Sequence, residues 1–148
     1  MSHTYVSCLL HCVWSTKNRQ PLLTPEIAAR LYPYMGGIAK ENGFHILASG
    51  GVADHVHSIF SLPSTLTIAK AVQLVKGGAS KWIHEEFGTE FEWQEGYGAF
   101  SVSISGLEAT REYIANQEQH HTRLTFQEEY RAFLVRHGIE FDERYVWG

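Results

Sequence analysis

The sequence predicts an α+β domain of the ferredoxin-like, split βαβ kind: an antiparallel sheet with helices on one face, followed by two C-terminal helices. Three observations predict it. Stretches of strict two-residue alternation, such as "AFSVSIS" at 99–105, mark half-buried strands. Longer stretches with apolar residues three and four apart mark amphipathic helices. Their order along the chain reads β-α-β-β-α-β and then two helices. The 148 residues suit one domain, with 1–105 as the ferredoxin-like core and 106–148 as the helical addition.

"YVSCLLHCVW" is apolar on both faces and predicts a central first strand. After the loop "KNRQPLL", Thr24 is placed to cap a helix with Pro25 at its first position. Ile27, Leu31, Tyr34 or Met35, and Ile38 mark its buried stripe, and "ENG" closes it. "FHILASGGV" and "HVHSIFSL" are joined by the short "ADH" and predict a hairpin. A second helix is expected from about Thr67 to Trp82, with a bend or break at Gly77-Gly78, since each glycine costs ~1 kcal/mol relative to alanine. In "AFSVSIS", Phe100, Val102 and Ile104 share one face. "SGLE" at 105–108 and "TFQE" at 125–128 both have the capping-box pattern. They predict a third helix running to about His121 and a fourth carrying Phe126, Tyr130, Phe133 and Leu134 on one face.

With 44% hydrophobic residues the chain can bury a real core, and no apolar run approaches the ~18 residues of a membrane span. Cys8 and Cys12 lie four apart on one strand, about 13 Å at normal strand rise, beyond disulfide reach. With no signal-like start, these features predict a cytoplasmic protein. The net charge of −4 is unevenly spread. Residues 1–81 carry seven Lys or Arg against three acids, and residues 82–148 carry five against thirteen. The first half can therefore hold phosphates. Lys17, Arg19, Lys70, Lys76 and Lys81 are the candidate contacts, and Trp93 and Tyr97 are candidates to stack on unpaired bases. Phe100 reads better as core.

Strand alternation puts His55 and His57 on one face of "DHVHSIFSL", with Val56 and Phe60 on the other. Alone, this pair fits a polar outer face as well as a metal site. The third helix adds Tyr113 and, one turn later, Gln117. A Gln117 amide oxygen with the two imidazoles makes an N,N,O ligand set with open positions for a phosphate oxygen, suited to Mg²⁺ or Mn²⁺. Asp54 is placed to orient His55 from outside the ligand set. Tyr113 would present its phenol near the bound phosphate. His120 and His121 read as capping or solvating the helix end, with a ligand role as the alternative. His3, His11, His45, His84 and His137 show no partner pattern.

The blocks "HCVWSTKNRQPLL", "GGVADHVHSIFSLP", "WQEGYGAFSVSIS", "YIANQEQHH" and "GIEFDERYVW" together resemble the HUH (His-hydrophobic-His) single-tyrosine transposases, the TnpA-type enzymes of the insertion-sequence 200/605 family and their domesticated relatives. The resemblance spans essentially the whole chain. It implies that His55 and His57 are paired metal ligands, Gln117 the third, and Tyr113 the nucleophile. It implies attack on single-stranded DNA, a 5′-phosphotyrosine bond, and rejoining without ATP. It also implies a homodimer that recognises imperfect hairpins at element ends, in several members with the tyrosine helix of one subunit completing the site of the other. The alternatives are a domesticated hairpin DNA- or RNA-binding module with little or no cleavage, and a metal-dependent hydrolase that uses water.

Overall fold

The computed structural model describes residues 3–148. Strand β1 (Leu9–Ser15) is buried along its whole length, as a strand apolar on both faces must be. It pairs with β3 (His55–Ser61) on one side and β4 (Gly98–Val102) on the other, and β2 (His45–Val52) completes the sheet beyond β3. The order is β2-β3-β1-β4, with every neighbouring pair antiparallel. The long helices α1 (Pro25–Glu41) and α2 (Ile68–Phe87) supply the two crossovers. Helices α3 (Leu107–Ala115), α4 (Gln117–His120) and α5 (Phe126–Arg136) follow. This is the predicted βαββαβ order with its helical addition.

Alternation along β1 and β3 divides the core in two. Cys12, Trp14, Val56 and Phe60 point to α1 and α2, where Leu31, Met35, Val72 and Val75 meet them. Met35 takes the buried place on α1 and Tyr34 stays outside. Val13 and Phe100 point the other way and meet Phe126, Tyr130 and Leu134 of α5. Burying such side chains contributes about 1.5–3 kcal/mol each, which holds α5 on the sheet. The C-terminal helices therefore cover the face that α1 and α2 leave open, and the sheet lies between two helical layers.

The caps predicted at Thr24 and Thr125 form, and Thr67 caps α2 as well. The side chains of Thr24, Thr67 and Thr125 accept hydrogen bonds from the backbone N–H groups of Ile27, Lys70 and Glu128. Glu128 also reaches back to the Thr125 N–H, closing the capping box of α5. The box expected at 105–108 does not form. Ser103 instead caps a short 3₁₀ turn, Ile104–Gly106, that leads into α3. That turn ends β4 at Val102 and turns Ile104 outward.

Two further expectations change. Helix α2 runs unbroken through Gly77-Gly78. A Cβ on Gly78 would lie 2.7 Å from Ile38 Cδ1, so this glycine lets α2 lie close against α1. The expected single helix from 105 to 121 is interrupted at Asn116, whose φ of −102° and ψ of 24° separate α3 from α4.

A second close approach positions the third layer. A Cβ on Gly50 of β2 would sit 2.6 Å from the Ile114 carbonyl oxygen and 2.9 Å from Ile114 Cγ2. Only glycine lets α3 come this near. Gly50→Ala should lower stability by ~1–3 kcal/mol in urea unfolding, because α3 must shift. Nothing lies within 4 Å of a Cβ on Gly77, so Gly77→Ala should raise stability by about 1 kcal/mol in the same assay.

Candidate metal centre and nucleophile

His55 and His57 project from β3 toward the α3–α5 layer, and both are fully buried. Each ring has its Nδ1 tied from outside. His55 Nδ1 lies 2.7 Å from Asp54 Oδ1, and His57 Nδ1 lies 2.7 Å from His11 Nε2. His121, just past α4, has Nδ1 2.8 Å from the Leu124 carbonyl oxygen. The three Nε2 atoms are thereby turned toward one point. Glu129 of α5 places Oε1 there, 2.8 Å from His57 Nε2, 3.1 Å from His121 Nε2 and 3.3 Å from His55 Nε2. Gln117 Oε1 joins them at 3.0 Å from His55 Nε2 and 3.1 Å from His121 Nε2.

Three imidazole nitrogens and two oxygens thus surround one buried volume. The candidate ligand atoms of His55, His57, His121 and Glu129 all lie within 4.8 Å of one another. Imidazoles held at Nδ1 by a carboxylate, an imidazole and a carbonyl have the outer support that metal-binding histidines use. The residues present fit a divalent cation, and the cluster can hold one.

The charges in the cluster depend on one another. Burial opposes the charged form of Glu129, but hydrogen bonds from His121, His55 and His57 outweigh it and hold the carboxyl well below the usual range. Burial also opposes charge on His55, yet Asp54, Glu129 and Gln117 together push its pKa up to about 9. Burial dominates at the other two rings. It pushes His57 down to about 4 despite Glu129, and His11 down to about 3 with help from His57. The cluster therefore balances its carboxylate with a protonated His55 and keeps His57 and His11 neutral.

Tyr113 lies beside this cluster. Its hydroxyl donates to Glu129 Oε2, and its ring centroid is 5.9 Å from that of His57. The His120 ring stacks on it at 4.4 Å. Gln117, one turn on, donates from Nε2 to Glu129 Oε2 at 3.2 Å, which leaves its oxygen facing the histidines. Burial, then Glu129, push the phenol pKa upward, so Tyr113 rests protonated. The tyrosine faces an open cavity of about 400 Å³ also lined by Thr110, Phe133 and Arg136.

All four residues of the expected ligand and nucleophile set meet within this one chain, and Asp54 lies where expected. Glu129 and His11 belong to the cluster although neither shows a partner pattern in the sequence, and His121, the C-cap residue of α4, also places its ring in the cluster. The proposed phosphate contacts divide. Lys70 and Lys81 are exposed on α2. Lys17 pairs with Glu92 at 2.8 Å, and Arg19 donates to the Trp147 carbonyl at 3.1 Å. Lys76 donates to the carbonyls of Gln94, Glu95 and Gly96, which fastens the loop before β4 to α2. Trp93 donates to the Lys76 carbonyl and packs with Tyr97 against the first core, while Phe100 is buried in the second.

The family pattern described as "Transposase IS200 like" matches residues 4–117, and the chain belongs to that family of transposases. It is 25% identical over 114 residues to the ISDra2 transposase TnpA of Deinococcus radiodurans, covering 72% of this chain and 81% of that one. It is 24% identical over 125 residues to the transposase for insertion sequence element IS200 of Salmonella typhimurium, covering 79% and 81%. Among solved structures, a putative transposase from Deinococcus radiodurans R1 superposes with a TM-score of 0.64 at 26% identity, covering 79% of this chain and 96% of that one. A REP-associated tyrosine transposase bound to a REP hairpin shares the fold, with a TM-score of 0.62 at 16% identity over 84% of this chain and 74% of that one. The family match ends at Gln117, so His121 and Glu129 lie beyond it. Among the described residues no helix is long and apolar enough to cross a membrane.

The buried imidazoles predict a pH dependence of folding when metal is chelated. Unfolded histidines titrate near ~6.5, so below that pH the unfolded chain takes up protons that His57 and His11 refuse down to about 4 and about 3. Stability must fall with pH over this window. His55 acts in the opposite sense: its contribution is complete below ~6.5 and is lost as pH rises toward about 9. With chelator present, the urea midpoint should peak near neutrality and decline on both sides, and His11→Phe should flatten the acid limb.

Proposed function

We propose that this chain is a metal-dependent single-tyrosine transposase that cuts and rejoins single-stranded DNA through a 5′-phosphotyrosine bond. The observation that carries the reading is the convergence of Tyr113, Gln117, His55 and His57 in one chain, with the phenol beside the candidate ligand atoms. A bound divalent ion supplies Lewis-acid polarisation of the scissile phosphate. Tyr113 Oη attacks the phosphorus, the bond to the 3′ oxygen breaks, and a 3′-hydroxyl leaves. Glu129 Oε2 accepts the hydrogen bond of the phenol, so it lies on the path of the proton that leaves Tyr113 and in net ends on the departing 3′ oxygen. Gln117 and Glu129 also fix one another, which keeps the nucleophile and the ligands in register. In the reverse step the 3′-hydroxyl attacks the phosphotyrosine, and no ATP is needed because the phosphodiester is conserved.

Mg²⁺ and Mn²⁺ are the proposed ions, and the three imidazoles favour Mn²⁺ of the two. Hairpin DNA is the proposed substrate, supported by a neighbour of the same fold that holds a REP hairpin. Lys70 and Lys81, exposed on α2, are the proposed phosphate contacts. A homodimer acting in the cytoplasm completes the reading. Each subunit would carry its own full site, since α3 lies on the sheet of its own chain.

The deciding experiment incubates labelled single-stranded DNA from the flanks of this gene with Mn²⁺ and resolves the products on a denaturing gel. Wild type should give a covalent protein–DNA adduct, and Tyr113→Phe should give none while binding the hairpin with near wild-type affinity. Cleavage by Tyr113→Phe without an adduct would establish the hydrolase instead. Hairpin binding by wild type with neither adduct nor cut would establish the binding module. Glu129→Ala should weaken Mn²⁺ binding at least 10-fold in calorimetry, comparable to other losses around metal ligands. Mixing Tyr113→Phe with His57→Ala should restore no cleavage, because neither variant has a complete site; recovered activity would show that sites are shared between subunits.

A further inference from the structure

His11 is an imidazole in an otherwise apolar stretch of the central strand, and the mechanism above gives it no part. We infer that His11 is a positioning residue of the metal centre: through the bond between its Nε2 and His57 Nδ1 it holds the His57 ring so that His57 Nε2 faces the ion. This inference rests on the metal reading above.

The register places the two rings together. Val13 of β1 lies opposite His57, and His11 lies opposite Ile59, so His11 and His57 are diagonal neighbours on the same face. Their ring nitrogens are 2.7 Å apart. The edge of Phe133 meets the His11 ring at 5.0 Å and 88°, and Phe133 in turn stacks on Phe100 at 5.2 Å. His11 is 4% exposed, so its orientation is set by packing rather than by water.

The chemistry explains why an imidazole stands here. A neutral imidazole has one N–H donor and one acceptor nitrogen. Without an ion, His57 Nε2 lies 2.8 Å from the Glu129 carboxylate, which can only accept. The His57 proton is therefore on Nε2, its Nδ1 is an acceptor, and His11 Nε2 donates. With an ion at the centre, His57 Nε2 must offer its lone pair, so its proton belongs on Nδ1. The same bond persists only if His11 Nε2 now accepts. The proton count balances: the Nε2 proton of His57 leaves to solvent, the Nε2 proton of His11 passes to His57 Nδ1, and His11 Nδ1 takes one from solvent. Both rings stay neutral. A carboxylate or carbonyl at position 11 would serve only the loaded state, and an ammonium only the empty one. An imidazole serves both, as does a primary amide.

The test combines tautomer and affinity. Long-range proton–nitrogen NMR on ¹⁵N-histidine-labelled wild type should show the His57 proton on Nε2 without metal and on Nδ1 after loading with Zn²⁺, used as a diamagnetic probe. Calorimetry with Mn²⁺ should show His11→Phe weakened ~10–100-fold, the usual effect of removing a partner of a metal-binding histidine. His11→Gln, whose amide can donate or accept, should recover most of that loss. Amide fingerprints confirm that the variants are folded. Wild-type affinity in His11→Phe, or an unchanged His57 tautomer on loading, would overturn the inference alone. Equal weakness in folded His11→Phe and His11→Gln would also overturn it, since packing rather than hydrogen bonding would then be the contribution. Wild type that takes up neither ion would overturn the metal reading and this inference together.

Discussion

An unpaired carboxylate buried to the extent of Glu129, 3% exposed, would be destabilising by several kcal/mol. What makes it tolerable is the ring of groups that face it: three imidazole Nε2 atoms, the Gln117 amide and the Tyr113 hydroxyl. These groups come from β3, α3, α4 and the turn after α4, so satisfying one charge ties together the sheet and the layer above it. Gly50 lets α3 approach, and the apolar face of α5 lowers the carboxylate into place. Neither contact is chemical in purpose, but together they set where the candidate nucleophile and the candidate ligands meet.

Much of this was legible in the chain. Apolar runs and period-two alternation located the four strands, and the Thr24 and Thr125 caps located two helix starts, because these signals are local and backbone-driven. The histidine pair was legible because strand geometry forces His55 and His57 onto one face. Glu129 was missed although it left a signal. It sits three residues after Phe126 and four before Phe133, on the apolar face of α5, where a charged residue needs a partner. His11 left the same kind of signal, a polar ring between Leu10 and Cys12. In both cases the partners include a strand histidine tens of residues away, and only the sheet register and the docking of α5 bring it near.

The glycine pair on α2 shows the opposite error. Intrinsic propensity argued for a break at Gly77-Gly78, and tertiary packing overrode it, since close contact between α1 and α2 needs a residue without a side chain at Gly78. The basic residues of the first half carry a similar lesson. Lys76 has the charge of a phosphate contact, but it is half-buried, and three backbone carbonyls hold it. Burial also pushes its pKa down to about 8. Charge along a sequence identifies candidates, and the fold decides which of them stay free.

The order of the cluster along the chain has a consequence during synthesis. His55, His57, Tyr113 and Gln117 all leave the ribosome before Glu129, and domains consolidate in that direction. A chain that stops short of Phe126 carries the tyrosine and both strand histidines, but it has neither the carboxylate that faces them nor the apolar helix that covers that side of the sheet. Premature termination therefore yields a fragment with the tyrosine and both strand histidines but an unfinished centre, and α5 is the helix that completes it.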